Sequence, residues 1–197
     1  MLKRLFDIVC SLLGLIVFFP ILLILALIIK REDGGPVFYR GVRVGRNGKL
    51  FKIFKFRTMV VNAEKIGGSS TADDDPRITK IGKFMRKHKL DELSQLINVL
   101  KGEMSFVGPR PEVQHYVNMY TDEEKIILSV KPGITDWASL WNSDEGAILA
   151  GSPDPEKTYL EMIRPEKIRL QLQYVKKHSL RVDVKIILQT ILKIMKK

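Results

Sequence analysis

The chain opens with a long apolar stretch before its pattern changes to shorter apolar runs. Residues 5–29 carry one charge, Asp7, and the 22 residues from 8 to 29 carry none. As a straight helix, an uncharged run of this length extends about 33 Å, enough to cross a hydrocarbon layer of about 30 Å. The pattern therefore predicts a membrane anchor in residues 1–31.

Two features of the anchor leave its path through the bilayer open. Basic residues flank both of its ends, Lys3 and Arg4 before it and Lys30 and Arg31 after it, so the positive-inside pattern gives no orientation. Pro20 lies near the middle, where it removes one helical hydrogen bond and favours a kink. The residues alone permit a spanning helix and a broken helix that returns to the same side.

The pattern after the anchor predicts a second unit, residues 32–197, with few strands. Short apolar runs at 37–39 and 50–56 flank Asn47 and Gly48, a pair that favours a tight turn, so we expect a β-hairpin. The alternation changes phase inside the second run. That shift indicates a bulge or the end of the strand.

A helical spacing of apolar residues follows in the middle of the chain. We expect one buried face made of Leu90, Leu93, Leu96, Ile97 and Leu100. Asp91 and Glu92 then lie in the first turn, where free backbone amides and the helix dipole stabilise anions. Adjacent residues point about 100° apart on a helix, so the two acids cannot act at one atom. One can attack while the other holds a metal or moves a proton.

Cations surround this acidic pair. Residues 86–89 are basic, and Arg110 lies between two prolines that restrict its backbone and aim a planar guanidinium able to bind two phosphate oxygens. Asp91 as a nucleophile toward a phosphoryl group fits such surroundings. An acidic pair that only complements a helix N-terminus, beside a solvated basic face, fits them as well.

Other polar residues are expected at the surface. The acids at 73–75 precede Pro76, which is typical of an exposed turn rather than a metal site. His88 and His115 belong to no motif.

The C-terminal third contains one predicted turn and one predicted amphipathic helix. Pro132 and Gly133 suit a tight turn with a positive φ at the glycine. Trp137 and Trp141 follow it, and both stacking on a ligand and core packing remain open for them. Asp183 is expected to cap the last helix. Its apolar stripe suits core packing or an anionic lipid surface and contains Val184, Ile187, Leu188, Ile191 and Met195.

The composition limits the classes of ligand that the protein is expected to bind. Lys and Arg outnumber Asp and Glu by 33 to 22, a net charge of +11, so phosphates, nucleotides, acidic lipids or nucleic acids are the expected ligands. A single cysteine, Cys10, rules out an internal disulfide, and no Cys and His cluster suggests zinc.

The central stretch resembles the signature of the bacterial sugar transferase family, the monotopic polyprenyl-phosphate phosphoglycosyl transferases. The shared run begins Leu-Asp-Glu-Leu at residue 90 and ends Val-Gly-Pro-Arg-Pro at residue 111. Residues 55–59, Lys-Phe-Arg-Thr-Met, resemble a second motif of that family.

The resemblance implies roles for five residues. Asp91 is the nucleophile that forms a phosphosugar intermediate, and Glu92 helps to bind Mg²⁺ or to orient the substrates, so both are candidate catalytic and metal-binding residues. Lys55, Arg86 and Arg110 bind substrate phosphates.

The resemblance also implies a reaction and a location. A sugar 1-phosphate moves from a UDP-sugar to polyprenyl phosphate, such as undecaprenyl phosphate, and UMP leaves, as the first membrane step of glycoconjugate synthesis. The enzyme is expected on the cytoplasmic face of the bacterial inner membrane, in contact with lipid and without nucleic acid; a homodimer is left open.

The expected fold is α+β and mainly helical. It comprises a re-entrant anchor at 1–31 and a cytoplasmic catalytic domain at 32–197 with a short β-hairpin and amphipathic interfacial helices. Two other functions stay open. One is a membrane-tethered basic module that binds nucleic acid or anionic lipid, which needs no ordered site from Asp91 to Arg110. The other is a Mg²⁺-dependent phosphohydrolase, which needs no lipid acceptor.

Overall fold

The computed structural model describes residues 2–66 and 71–195. The α-helices are α1 (Leu2–Asp33), α2 (Lys80–Lys87), α3 (Leu96–Lys101), α4 (Gln114–Val117), α5 (Trp137–Trp141), α6 (Glu145–Leu149), α7 (Pro155–Thr158), α8 (Arg164–Lys177) and α9 (Leu180–Met195). The strands are β1 (Phe38–Tyr39), β2 (Val42–Val44), β3 (Leu50–Lys52), β4 (Lys55–Phe56), β5 (Ser105–Val107) and β6 (Gly133–Thr135). Helix predominates in this part of the chain, which confirms the mainly helical α+β class.

The predicted hairpin is present but is divided. β2 pairs antiparallel with β3 around a turn in which Asn47 and Gly48 have φ of 56° and 76°, as an Asn-Gly pair favours. β1 pairs antiparallel with β4. Ile53 and Phe54 separate β3 from β4, so the phase shift in the sequence did mark the end of a strand. The prediction missed β2.

The predicted tight turn at Gly133 is wrong. Gly133 begins β6, which pairs in parallel with β5 in the register Ser105 to Gly133. A Cβ on Gly133 would collide with the backbone nitrogen of Gly108, and a Cβ on Gly108 would collide with the carbonyl oxygen of Lys131. These glycines therefore allow two backbones to approach closely rather than supplying a positive φ.

The anchor forms one uninterrupted helix, α1, with Pro20 inside it, and ends at Asp33, two residues beyond the expected boundary. Within the described residues, α1 is the one helix long and apolar enough to cross a membrane. Residues 16–21 are all exposed, whereas one face of α1 packs on the domain on either side of them. The helix thus has two attached arms and an exposed apolar middle.

The first arm of α1 is fastened by charged side chains. Asp7 is buried and accepts hydrogen bonds from the Ser105 hydroxyl at 3.0 Å and the Phe106 amide at 3.2 Å. Lys3 lies 2.5 Å from Asp183. Asp183 is therefore the buried ion-pair partner of Lys3. The predicted helix cap is wrong, since α9 begins at Leu180 and Asp183 lies inside the helix.

The second arm is fastened by apolar packing and one ion pair. Leu25 and Ile29 pack in a cluster with Phe56 and other apolar residues. Asp33 accepts from both terminal nitrogens of Arg57, each at 2.5 Å. Both arms therefore bind elements of the same domain, and the second binds the strand that carries Lys55.

Candidate active site

The predicted helix at Leu90 begins where expected but in a different form. Lys89 has a left-handed φ of 56°, and Leu90–Gln95 is a 3₁₀ helix that continues into α3. Asp91 and Glu92 lie in the first turn of this 3₁₀ segment, so their predicted position is confirmed.

The buried face predicted for this helix is wrong in its details. Several fully buried side chains are polar, and Leu96 is the one buried member of the predicted face, since Leu90, Leu93, Ile97 and Leu100 are half-buried. The reason is that α3 packs on α1 and, through Asn98, bonds to the backbone of the segment that joins β3 to β4. Asn98 accepts from the Phe54 amide at 2.7 Å and donates to the Lys52 carbonyl at 3.0 Å. These bonds position the backbone immediately before Lys55.

The two acids make different contacts. Asp91 is 1% exposed, and its Oδ2 lies 3.0 Å from Lys55 Nζ. Its Oδ1 is buried with no hydrogen-bond partner in the part of the chain that the structure describes. Glu92 accepts from both terminal nitrogens of Arg110, at 2.5 and 3.1 Å, and its Oε1 lies 3.4 Å from Lys55 Nζ. Lys55 therefore bridges the pair, whereas Arg110 binds Glu92.

The charges in the site are mutually stabilised. Burial tends to raise the pKa of Glu92, but Arg110 and Lys55 outweigh it and hold that pKa well below its ordinary value. Glu92 raises the pKa of Arg110 despite burial. Burial lowers the pKa of Lys89, partly offset by Glu92. Glu92 and Arg110 are thus both charged near neutral pH.

Arg86 reaches the site from α2. Its Nε donates to the Thr58 hydroxyl at 2.9 Å, inside the motif that begins at Lys55. Burial lowers the pKa of Arg86, and the charge of Asp91 opposes this shift. Lys87 and His88, beside it in the chain, are exposed. The structure therefore brings together all five sequence-predicted site residues and adds Lys89.

The other candidate acids and histidines behave mostly as surface groups. The turn at 73–75 is confirmed, since the Arg77 amide and guanidinium both bind Asp75. Burial and Asp144 raise the pKa of Asp73. His88 packs on Phe84, and His115 is exposed.

The two tryptophans differ in exposure. Trp137 packs against the apolar cluster beneath β5, and Lys185 Nζ lies 5.7 Å from its ring. Trp141 is 44% exposed at the end of α5. Trp141 is therefore the tryptophan with surface left for a ligand.

A buried charged network behind Arg110 was not predicted from the sequence. Lys167 binds Glu112, Glu145 and Tyr159, and Glu112 is two residues beyond Arg110. From the sequence, only Glu112 could be connected with Arg110, because it lies two residues later. Lys167 lies in α8, far along the sequence.

Asp91 and Glu92 could hold Mg²⁺ only together with oxygen ligands from a bound phosphate. Mg²⁺ prefers oxygen ligands, keeps several waters and usually takes one or two carboxylates together with substrate phosphates. Asp91 offers a buried oxygen, but both oxygens of Glu92 contact Arg110. Within residues 2–66 and 71–195 no group of three or more Asp, Glu, His or Cys side chains suits a metal. A phosphate ligand would have to complete the site.

Comparison with known proteins gives one family. The model of the family described as bacterial sugar transferase matches residues 1–197. The UDP-glucose:undecaprenyl-phosphate glucose-1-phosphate transferase of Escherichia coli is 40% identical over 197 residues, which cover 98% of this chain and 40% of that protein. The undecaprenyl-phosphate galactose phosphotransferase of Salmonella typhimurium is 46% identical over 155 residues, 71% of this chain and 32% of that protein.

Some relatives are shorter. An uncharacterized sugar transferase of Bacillus subtilis, EpsL, is 37% identical over 194 residues, 98% of this chain and 87% of that protein. The chain thus spans less than half the length of the first two relatives and most of the third.

Proposed function

The chain belongs to the bacterial sugar transferase family, and from that membership and the geometry around Asp91 we propose that it is a polyprenyl-phosphate phosphoglycosyl transferase. The donor is a UDP-sugar, the acceptor is a polyprenyl phosphate such as undecaprenyl phosphate, and the products are a polyprenyl diphosphate sugar and UMP. The names of the Escherichia coli and Salmonella relatives support an undecaprenyl-phosphate acceptor and a sugar-phosphate donor.

The reaction proceeds in two displacements at one phosphorus. Asp91 attacks the phosphorus that bears the sugar, a bond forms from its carboxylate oxygen to phosphorus, and the bond to UMP breaks with its electron pair on UMP. A phosphate oxygen of the lipid then attacks the same phosphorus and displaces the Asp91 carboxylate. The acid is regenerated, and the lipid keeps the sugar phosphate.

The observation that carries this proposal is the environment of Asp91. Oδ2 is held by Lys55 at 3.0 Å, while the buried Oδ1 has no hydrogen-bond partner within the described residues, so its lone pairs are not engaged there. Lys55, Arg86 and Arg110 surround the position where phosphate charge develops, so their charges can stabilise it without reorganisation.

Glu92 and Arg110 act together. A planar guanidinium held by two bonds is fixed in orientation before a phosphate arrives, which lowers the cost of aligning it. When bound, Mg²⁺ would be held by Asp91 and Glu92 and would offset phosphate charge.

The contacts of α1 support a re-entrant, monotopic anchor, and we propose that it lies at the cytoplasmic face of the inner membrane. Its first arm binds β5 and α9, and its second arm binds the motif of Lys55 through Arg57. A straight helix of 32 residues extends about 48 Å, so two ends on opposite sides of a bilayer could not both reach one small domain. The exposed middle then enters the leaflet and returns.

The last helix gives this domain a second apolar surface. Val184, Leu188, Ile191, Leu192 and Met195 are exposed on α9, while Ile186 is buried. Ile187, a member of the predicted apolar stripe, packs inward on the core instead of lying on this exposed surface. Such a surface suits an interfacial helix.

The test is to incubate the purified chain with UDP-sugars, Mg²⁺ and undecaprenyl phosphate and to identify the nucleotide released. UMP that appears only with the lipid in multiple turnovers supports the proposal. Release of UDP contradicts it, because that product denotes ordinary glycosyl transfer. UMP formation that continues without lipid at the same rate favours a phosphohydrolase.

A further inference from the structure

A buried cation on α8 lies behind the loop that carries Arg110. The side chain of Lys167 is 8% exposed, and its Nζ lies 2.6 Å from Glu112 and 3.7 Å from Glu145. It also donates to the Tyr159 hydroxyl at 3.1 Å, and that hydroxyl donates to Glu112 at 3.2 Å. One cation therefore contacts two carboxylates and a phenol, of which Glu112 is largely buried and Glu145 is 40% exposed.

One of these carboxylates lies beside Arg110. Glu112 follows Arg110 by two residues, and the two side chains line the same small cavity. Glu112 is therefore a second carboxylate next to the guanidinium, and Lys167 joins it to Glu145. In the structure the guanidinium binds Glu92, with contacts at 2.5 and 3.1 Å.

The charge on Lys167 accounts for that choice. A buried carboxylate without a counter-charge attracts any cation within reach, because the attraction is weakly screened. Lys167 compensates Glu112 and Glu145, and it holds Glu112 ionised, with a pKa below its ordinary value in spite of burial. Glu92 is then the carboxylate left to orient Arg110.

We propose that Lys167 is a positioning residue for Arg110: by binding Glu112 and Glu145 it keeps the guanidinium on Glu92, aimed at the donor phosphate. The inference rests on the proposed function, in which Arg110 binds that phosphate. Lys167 touches no reacting atom. Its effect on turnover passes through Arg110 alone.

A double-mutant cycle in the UMP-release assay separates positioning from support of the fold. We expect Lys167→Met to lower kcat/KM for the donor about tenfold in the wild-type background and less than about twofold when Arg110 is already Ala, because coupled residues are not additive. Equal losses in both backgrounds would overturn the proposal.

A matched control lies on the same helix. Arg164→Met removes the ion pair with Glu124 at 2.7 Å, which is separate from the Lys167 network. We expect its effect on kcat/KM, whatever its size, to be the same with and without Arg110. Thermal unfolding of each variant in detergent reports whether the fold persists.

Rescue keeps the proposal testable if Lys167→Met fails to fold. The triple variant Lys167→Met, Glu112→Gln, Glu145→Gln removes the competing charges together with the cation. We expect it to unfold at a temperature near that of the wild type and to recover activity to within about threefold. A folded triple variant that stays about tenfold impaired would reject the proposal.

Failure of the proposed function gives a different result. If the wild-type chain releases no UMP, the same cycle is measured on the binding of UDP by calorimetry. Loss of affinity on Lys167→Met that disappears in the Arg110→Ala background still supports positioning, and loss that persists there opposes it.

Discussion

Arg110 binds Glu92 through both of its terminal nitrogens, at 2.5 and 3.1 Å. Asp91, the neighbour of Glu92 in the chain, instead contacts Lys55 through one oxygen, and its second oxygen has no hydrogen-bond partner among the described residues. The two acids thus have separate contacts: Glu92 orients Arg110, and Asp91 is the nucleophile in the proposed function. Separate contacts follow from adjacent positions in a helical turn.

The two hydrogen bonds between Arg110 and Glu92 predict that a positive charge at position 110 is not sufficient for full activity. Arg110→Lys keeps a cation but cannot bind two oxygens in one plane, so kcat/KM for the donor should fall by about 10- to 100-fold. Arg110→Ala should fall by about 100- to 1,000-fold. Steady-state kinetics of UMP release measure both. Wild-type kinetics for Arg110→Lys would contradict the two-bond role.

Lys55 is expected to act on chemistry more than on binding of the nucleotide. Lys55→Met removes the charge that holds Asp91 Oδ2, so kcat should fall by about 100-fold. Lys52→Met is the matched control, since Lys52 is exposed on β3, the strand that precedes β4. Its kcat should change less than about twofold. A similar loss in both variants would show that the loss does not depend on the contact of Lys55 with Asp91.

The ion pair of Asp33 and Arg57 should make stability depend on pH. The Arg57 hydrogen bond, with a smaller contribution from the Gly35 amide, lowers the pKa of Asp33 below its ordinary value of 3.8. Below that pH the unfolded chain therefore binds more protons than the folded chain, and the free energy of unfolding decreases as the pH falls. Above the ordinary pKa the stabilisation is complete.

Asp33→Asn should accordingly lower the unfolding temperature at about pH 6, and the gap from the wild type should shrink as the pH approaches about 3. Thermal unfolding in detergent across this range measures the gap. Glu123→Gln controls for loss of one exposed charge. A gap that is constant with pH would contradict an ionic role for Asp33.

A re-entrant α1 predicts that both of its ends face the cytoplasm. In a Cys10→Ser background, single cysteines at Leu2 and Arg31 should both react with a membrane-impermeant maleimide in inside-out vesicles and neither in intact spheroplasts. A spanning helix would expose one of them to each side. Labelling of the cysteine at position 31 from outside would exclude the re-entrant anchor.

Local pattern predicted the turn at Asn47 and the position of Asp91 and Glu92 in a first helical turn. The roles of Asp91, Lys55 and Arg110 were predicted only from the resemblance to a family, since their spacing alone left other interpretations open. The pairing of β5 with β6 was not predictable, because it joins residues far apart in the chain and uses Gly133 for close approach.

Long-range ion pairs were also beyond local pattern. The local sequence predicts that Asp183 is a helix cap. The ion pair of Asp183 with Lys3 joins residues from opposite ends of the chain, so no local pattern could predict it. Nothing in the local sequence distinguishes Lys167 from the other lysines. Its contact with Glu112 depends on the packing of α8. The burial of polar Asn98 likewise depends on a backbone segment more than forty residues away.

The most direct measurement is the mass of the protein after reaction with a UDP-sugar in the absence of lipid, followed by peptide mapping. The wild-type chain should gain one sugar phosphate on the peptide that contains Asp91, and undecaprenyl phosphate should remove it. Asp91→Asn should gain nothing and should not turn over. An adduct on another residue, or turnover by Asp91→Asn, would contradict Asp91 as the nucleophile.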